Sequence, residues 1–498
     1  MFNVDILIFH GYLLRGTGSN VYNARLAAAL AGLGHEVHVV CQDRDPASAG
    51  LDGPHVTIHN PDIGRILPVY VHDHYEGFEA KTFLDCTDEE VEHYVDANVA
   101  AVREIAERVG PDVALANHAV MGPVVLARAL GDRVPYAVKV HGSALEYVVK
   151  VDPERFAPYA REGLEPAKAV LVGSLHTAES LWAAMEGMEL RERTRLGPPG
   201  VDVAEFTPRE RDDAIGHLEA LAGRLQDMPH VEAEGSFARD EGAAGRALAS
   251  LRPREQRIVT FVGKLIVSKG VDLLAAAWPL VTARVPGAHL VVVGFGAFRA
   301  GFEGLLDALA RGDLDALRAL AAQGRAAEGG PAGRLEMLGA FLETVDDDYL
   351  AAARELPERV TVVGRLDHAE LAELLPLCEA QVVPSTFPEA FGMVAAEAAA
   401  CGALPVSAAH SGLAEVTRVL AAAVPPEAAH MLAFELGPGA VRELADRLIG
   451  WLEADEGVRE RTREALVRTA RERWSWEGVA EGVLAAAQGR LDDLAPPA

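Results

Sequence analysis

Lysine is nearly missing from this chain: six residues in 498, beside forty arginines. Positive charge is short overall, with 46 Lys and Arg against 74 Asp and Glu, for a formal net charge of −28. Such a surface repels nucleic acid phosphates and anionic lipid head groups, so nucleic acid is excluded as a bulk partner and peripheral membrane contact is disfavoured. Cysteine is also scarce. Cys41, Cys86, Cys378 and Cys401 are far apart with no CxxC spacing, which argues against a disulfide scaffold or a thiolate zinc site and fits a reducing cytoplasm. No apolar run approaches the roughly 20 residues that span a bilayer. The opening "MFNVDILIFHGYLLRG" carries no basic leader, and its short apolar run reads as a first strand. The expectation is a soluble, cytoplasmic protein.

What is present is ordinary globular material, 50% hydrophobic and 24% charged, in a length that calls for more than one core. "VDILIFHG", "EVHVVCQ", "DVALANH", "YAVKVHG" and "AVLVGS" are strand-like runs, each beside a helical pattern. In "SNVYNARLAAALAGLG" the apolar positions Val21, Leu26, Leu30 and Leu33 share a helical face, and Gly34 is placed to end it. The alternation restarts at "RIVTFVGKL" and continues through "HLVVVGFG", "RVTVVGRL", "AQVVPS" and "ALPVSA". Strands alternating with helices predict an α/β fold with two doubly wound, Rossmann-like halves. The expected boundaries are residues 1–208 for the first half, 209–255 for a helical linker or insertion, and 256–470 for the second half. That second half carries a helical insertion at 298–357, and residues 471–498 form a terminal helix crossing back to the first half. Such sheets bind ligands beyond the carboxyl ends of their strands, which predicts a cleft between the halves.

Two stretches carry chemistry. In "TFVGKLIVSKGVDLLAAAW" a strand ends at Gly263 and a helix begins near Gly270, so helix-start amides with Lys264 and Lys269 make an anion site. Two solvated lysines are the plain alternative, and the scarcity of lysine elsewhere favours the anion site. In "PSTFPEAFGMVAAEAAACGALPV" two carboxylates interrupt an apolar segment. Glu389 falls in a loop after the strand, whereas Glu397 falls in the early turns of a helix beginning near Gly392. Carboxylates there accept charge-assisted hydrogen bonds from sugar hydroxyls. The helix dipole alone also accounts for Glu397.

Together, "GKLIVSKG", "PEAFGMVAAE", "GLGHEVHVV", "KVHGS", "PPGVDVAEFTP", "LPLCEAQVVPS" and "RWSWEGVAEGVL" resemble retaining glycosyltransferases of family 4, with the GT-B fold. The resemblance covers most of the chain outside the insertions. It implies that Lys264 and Lys269, with Gly263, hold a donor diphosphate. It implies that Glu389, with the backbone of Ala390, Phe391, Gly392 and Met393, holds the donor sugar. Glu397 would hold the ribose, Arg365 and Leu366 would flank the base, and His141 would face the transferred sugar. His141, Lys264, Lys269 and Glu389 are thus the catalytic candidates, and His10 and His118 are acceptor-side candidates. Where the family usually has adjacent glycines in the first loop, this chain has Thr17 and Gly18. The Cβ of Thr17 limits backbone approach to a phosphate.

The resemblance further implies partners rather than tight cofactors: a nucleoside diphosphate sugar such as a UDP-sugar, and an acceptor saccharide or small metabolite. It implies no required divalent metal, and the leaving diphosphate takes the acceptor's proton on the same face. The rivals are a catalytically inactive sugar-nucleotide-binding scaffold and a GT-B epimerase. "GTGSNV" lacks the third glycine of a dinucleotide fingerprint, because Val21 stands there. The D-x-D within "VDDDY" reads as a solvated cluster, and His72, Asp73 and His74 as solvated or acceptor-contacting rather than metal ligands.

Overall fold

The computed structural model describes residues 3–15, 18–70, 77–228, 239–330 and 333–497. Thr17 and the His72–His74 segment therefore lie outside the described residues. The chain divides into two compact units, one of Met1–Gly200 with Trp474–Ala498, the other of Val201–Arg473.

The first unit is built on seven parallel strands. Their spatial order is Val56–His59, Glu36–Val40, Asp5–Phe9, Val113–Asn117, Tyr136–Val140, Ala169–Val172 and Thr194–Leu196. The apolar runs seen in the sequence form five of these, because a strand covered on both faces needs no polar alternation. Leu7 and Phe9 pack on one face with Val124, Val125 and Phe156, whereas Ile6 and Ile8 pack on the other with Leu26 and Leu30. The second face is completed by the helix Trp476–Ala487, whose Trp476, Val479, Ala480 and Val483 join that core. A Cβ on Gly200 would sit 2.5 Å from the Trp476 ring, so only glycine lets the chain pass there. Strand order reverses between Asp5–Phe9 and Val113–Asn117, which puts a switch point at their carboxyl ends.

The second unit repeats the plan with six parallel strands, ordered Val360–Gly364, Ala288–Val293, Arg257–Val262, Cys378–Val383, Leu404–Ala408 and Ala433–Phe434. Here the switch point lies between Arg257–Val262 and Cys378–Val383. Residues 209–255 supply the helices Arg211–Gln226 and Glu241–Ala249, which belong to this unit. Arg224 pairs with Glu373, and Arg239 grips Glu370 through both terminal nitrogens at 2.8 and 3.0 Å, fastening this segment to the helix His368–Leu374. Between strands Ala288–Val293 and Val360–Gly364 stand the helices Arg299–Arg311, Leu314–Gln323, Glu336–Leu342 and Asp347–Ala353. The D-x-D carboxylate Asp346 caps the last of these, accepting the Tyr349 N–H at 2.9 Å.

Candidate functional site

In the second unit, the loops after the two switch-point strands meet. Arg257–Val262 runs into Gly263 and Lys264, a single turn at Val267–Lys269, and then the helix Val271–Arg284. Gly270 makes the corner with φ 67°, and a Cβ there would lie 1.9 Å from the Pro384 carbonyl oxygen. Glycine is required on both counts, and it brings the lysine loop against the chain leaving Cys378–Val383. Thr386 N–H donates to the Ser268 carbonyl at 2.9 Å and ties the two loops. The result is an ion pair between Lys269 Nζ and Glu389 Oε1. Lys264 is exposed, and its ammonium has no ionic or hydrogen-bond partner among the described residues.

The Glu389 loop is held from behind. Ser385 Oγ donates to Glu389 Oε1 at 2.7 Å, and the Glu389 N–H donates to Ser411 Oγ at 2.9 Å. Ser411 Oγ lies 3.1 Å from His410 Nδ1, whose Nε2 reaches the Ser385 carbonyl at 2.7 Å. Gly412 N–H donates to the Glu389 carbonyl, and the backbone of Ala390 and Phe391 lies too close for any Cβ on Gly412. Sequence reasoning missed His410 and Ser411. Their signal is position alone: they follow strand Leu404–Ala408 at the same edge of the sheet.

The helix Met393–Ala400 opens at Gly392, as the apolar run predicts. Glu397, on its buried side and 3% exposed, has an oxygen 3.1 Å from His368 Nε2. Arg365 and Leu366 follow strand Val360–Gly364, with Arg365 bonded to Asp367 at 3.1 Å and its guanidinium 5.7 Å from the Phe295 ring centre. Gly263, Lys264, Lys269, Arg365, Leu366, Glu389 to Met393 and Glu397 thus follow the carboxyl ends of three strands of one sheet, Arg257–Val262 and its neighbour Cys378–Val383, and Val360–Gly364 one strand further away. One further residue comes from the helical segment 298–357. Glu328 accepts the Val267 N–H at 2.8 Å and so braces the lysine loop.

In the first unit, His10 and His118 follow the two switch-point strands, and His141 follows the next strand, Tyr136–Val140. Neighbouring ring centres are 6.1 Å apart for His10 and His118, and 4.9 Å for His118 and His141. Gly18 begins the helix Gly18–Gly32, which supplies Asn20, Tyr22 and Asn23 to the same cluster. His118 is 2% exposed with φ 69°, it packs against Tyr70 at 4.4 Å, and neither ring nitrogen has a hydrogen-bond partner among the described residues. Burial keeps all three imidazoles neutral. It pushes His10 down to about 4 and holds His118 and His141 well below the usual histidine range, with neighbouring imidazoles and Lys139 adding to the effect on His141. Lys139, in strand Tyr136–Val140 and buried, is pushed down to about 7 by desolvation and donates to the Gly197 carbonyl. Within the apolar run "YAVKV" nothing marks this lysine as buried.

Chemically, the second unit offers an ammonium, a carboxylate and helix-start amides at one point, the set that binds a phosphorylated, hydroxyl-rich ligand. The first unit offers neutral imidazoles and amides, which bind hydroxyl groups without needing charge.

Residues 17–200 match the glycosyl transferase 4-like domain, and residues 343–473 match the glycosyl transferases group 1 domain. A D-inositol 3-phosphate glycosyltransferase of Segniliparus rotundus is 28% identical over 331 residues, 64% of this chain and 61% of that protein. One from a Mycobacterium strain is 29% identical over 254 residues, 48% of this chain and 46% of that protein. The match thus spans about half to three fifths of these relatives' length. Among solved structures, sucrose-phosphate synthase from Thermosynechococcus elongatus superposes with TM-score 0.54 at 21% identity, covering 98% of this chain and 99% of that one. HepE from Anabaena, solved with UDP-glucose, gives TM-score 0.58 at 16% identity, covering 98% and 100%. These likenesses show the GT-B fold. With both halves of the family pattern matched in order on that fold, the chain belongs to glycosyltransferase family 4, the glycosyl transferases group 1.

Proposed function

We propose that this chain transfers a hexosyl group from a nucleoside diphosphate sugar to a saccharide or small-metabolite acceptor, with retention of anomeric configuration. The observation that carries this reading is the convergence of Lys269, Glu389 and the Met393 helix start at the switch point of the second sheet. Lys264 and Lys269 stabilise the negative charge that grows on the leaving diphosphate, a kind of contribution worth about 3–4 kcal/mol for a well-placed donor. Glu389 holds sugar hydroxyls, Glu397 the ribose hydroxyls, and Arg365 with Leu366 the base. His141 is assigned to the transferred sugar by the family resemblance. As in that family, the departing diphosphate accepts the acceptor's proton on the face it leaves, so no enzyme nucleophile is used.

UDP is the favoured nucleotide, supported by the UDP-glucose complex of HepE. The curated relatives carry a phosphorylated polyol in their name, which supports a hydroxylated small molecule as acceptor. A thermal-shift panel of UDP, GDP and ADP with their glucose conjugates tests the donor reading. Ligand at about a hundred times its Kd adds roughly 2.7 kcal/mol of stability. The expected result is a larger rise in Tm for the UDP pair. No shift with any nucleotide at millimolar concentration removes the proposal. The anomeric configuration of the product, read by proton NMR, tests retention.

A further inference from the structure

The hydrogen-bond network beneath His141 admits one arrangement of protons. Asn117 Nδ2 donates to the Phe9 carbonyl at 3.1 Å and to Asn23 Oδ1 at 2.7 Å. Asn23 Nδ2 reaches three acceptors, the Ser19 carbonyl at 2.8 Å, Asn117 Oδ1 at 3.1 Å and His10 Nδ1 at 3.1 Å, so one of its two hydrogens goes to Ser19 and the other is shared between Asn117 and His10. The two side chains therefore form a reciprocal amide pair, anchored at each end by a main-chain oxygen. Turning either amide over would set its oxygen against the Phe9 or Ser19 carbonyl, acceptor against acceptor, in a buried place where the lost bonds are not replaced by water. Both orientations are fixed.

His141 Nε2 lies 2.8 Å from Asn117 Oδ1. An amide oxygen only accepts, so Nε2 carries the proton. His141 is neutral, as described above, so Nδ1 carries a lone pair and no proton. Nδ1 has no hydrogen-bond partner among the described residues, and the side chain is only half-buried. The far end of the network obeys the same logic. His10 Nε2 faces two acceptors, the Leu13 carbonyl at 3.0 Å and Asn20 Oδ1 at 2.8 Å, and Asn20 is itself held by donating to the Arg15 carbonyl.

We infer that the Asn23–Asn117 amide pair fixes His141 as its Nε2–H tautomer, so that Nδ1 meets a bound sugar as a hydrogen-bond acceptor only. Asn117 is in this sense a positioning residue. His141 then reads the proton of a sugar hydroxyl and repels any group that brings only lone pairs, such as a carboxylate or keto oxygen. The role of His141 at a sugar rests on the function proposed above, whereas the tautomer does not.

The test is a long-range proton–nitrogen spectrum of the ligand-free protein carrying ring-labelled histidine. The His141 signals are identified by their loss in His141→Gln. The expected pattern at neutral pH is a protonated Nε2 and an unprotonated Nδ1. An Nδ1–H pattern, a mixture of tautomers or a doubly protonated ring overturns the inference. In Asn117→Asp the new carboxylate favours a second proton on His141. The ring signals are expected to move to the doubly protonated pattern, with a loss of about tenfold or more in kcat/KM, the scale of one hydrogen bond in a water-poor site. His141 signals that do not change in a folded Asn117→Asp protein show that the pair does not set the tautomer. Should that variant fail to fold, the wild-type spectrum still decides. Absence of turnover with UDP-, GDP- and ADP-glucose strikes the proposed function alone, because the spectrum needs no substrate.

Discussion

Glu389 and Lys269 stand 120 positions apart in the chain and form one ion pair where two strand-end loops meet. Their side chains are 26% and 31% exposed, so solvent screens the pair, and it contributes under about 1 kcal/mol to folding. The arrangement holds a cation and an anion ready for a ligand that carries phosphate at one end and hydroxyls at the other. Lys269→Met is expected to lower donor turnover by about 10²–10³-fold, with a change in unfolding free energy below about 1 kcal/mol. Steady-state kinetics beside urea denaturation checks both halves. Unchanged turnover removes Lys269 from the site.

The two glutamates of one helix-and-loop segment separate by ligand. Glu397→Gln is expected to weaken binding of UDP alone, since Glu397 is assigned to the ribose. Glu389→Gln is expected to leave UDP binding intact and to weaken UDP-glucose by about tenfold, one charge-assisted hydrogen bond. Isothermal titration of both ligands against both variants decides the matter. Equal losses for UDP in the two proteins contradict the assignment.

Glu328 gives the helical segment 298–357 a task at the lysine loop, because it accepts the Val267 N–H. Glu328→Ala leaves that amide without its partner and is expected to cost about 1–3 kcal/mol of stability. Donor affinity should fall with it, as Lys264 and Lys269 lose a fixed support. A variant with wild-type Tm and wild-type nucleotide affinity shows the contact to be incidental.

Lys139 supplies a pH dependence. Its folded-state pKa is pushed down to about 7 from 10.5, so between those values the unfolded chain holds a proton that the folded chain does not. Stability from this residue therefore rises with pH across that window, and below pH 7 the full cost of burying an ammonium is present. Lys139→Met is expected to stabilise the protein at pH 6 by an amount of order 1–3 kcal/mol and to lose that advantage by pH 9.5. Parallel stability curves for the two proteins across pH 6–9.5 rule this out.

The architecture was legible because buried parallel strands announce themselves as apolar runs, and ten of the strands seen were readable that way. In the two main sheets Val56–His59, Thr194–Leu196 and Ala433–Phe434 escaped, because two to four residues carry too little pattern. The Lys264–Lys269 and Glu389–Glu397 stretches were readable because each combines local spacing with an unusual residue choice. His410, Ser411 and Glu328 were not, since each acts on a partner 22 to 61 positions away. The Asn23–Asn117 pair spans 94 positions, and an asparagine at the end of an apolar run looks like any loop residue.

The helix Trp476–Ala487 lays a late-made part of the chain onto a sheet made well before it. The part of the sheet that this helix covers, over strands Val113–Asn117, Tyr136–Val140 and Ala169–Val172, therefore stays open during synthesis until all of Val201–Arg473 has emerged from the ribosome. The second unit has its whole sequence available earlier and can close its core while the first still waits. Order of synthesis and order of completion are thus reversed, and a nascent chain halted before residue 474 would expose the apolar surface that Trp476, Val479 and Val483 cover in the finished protein.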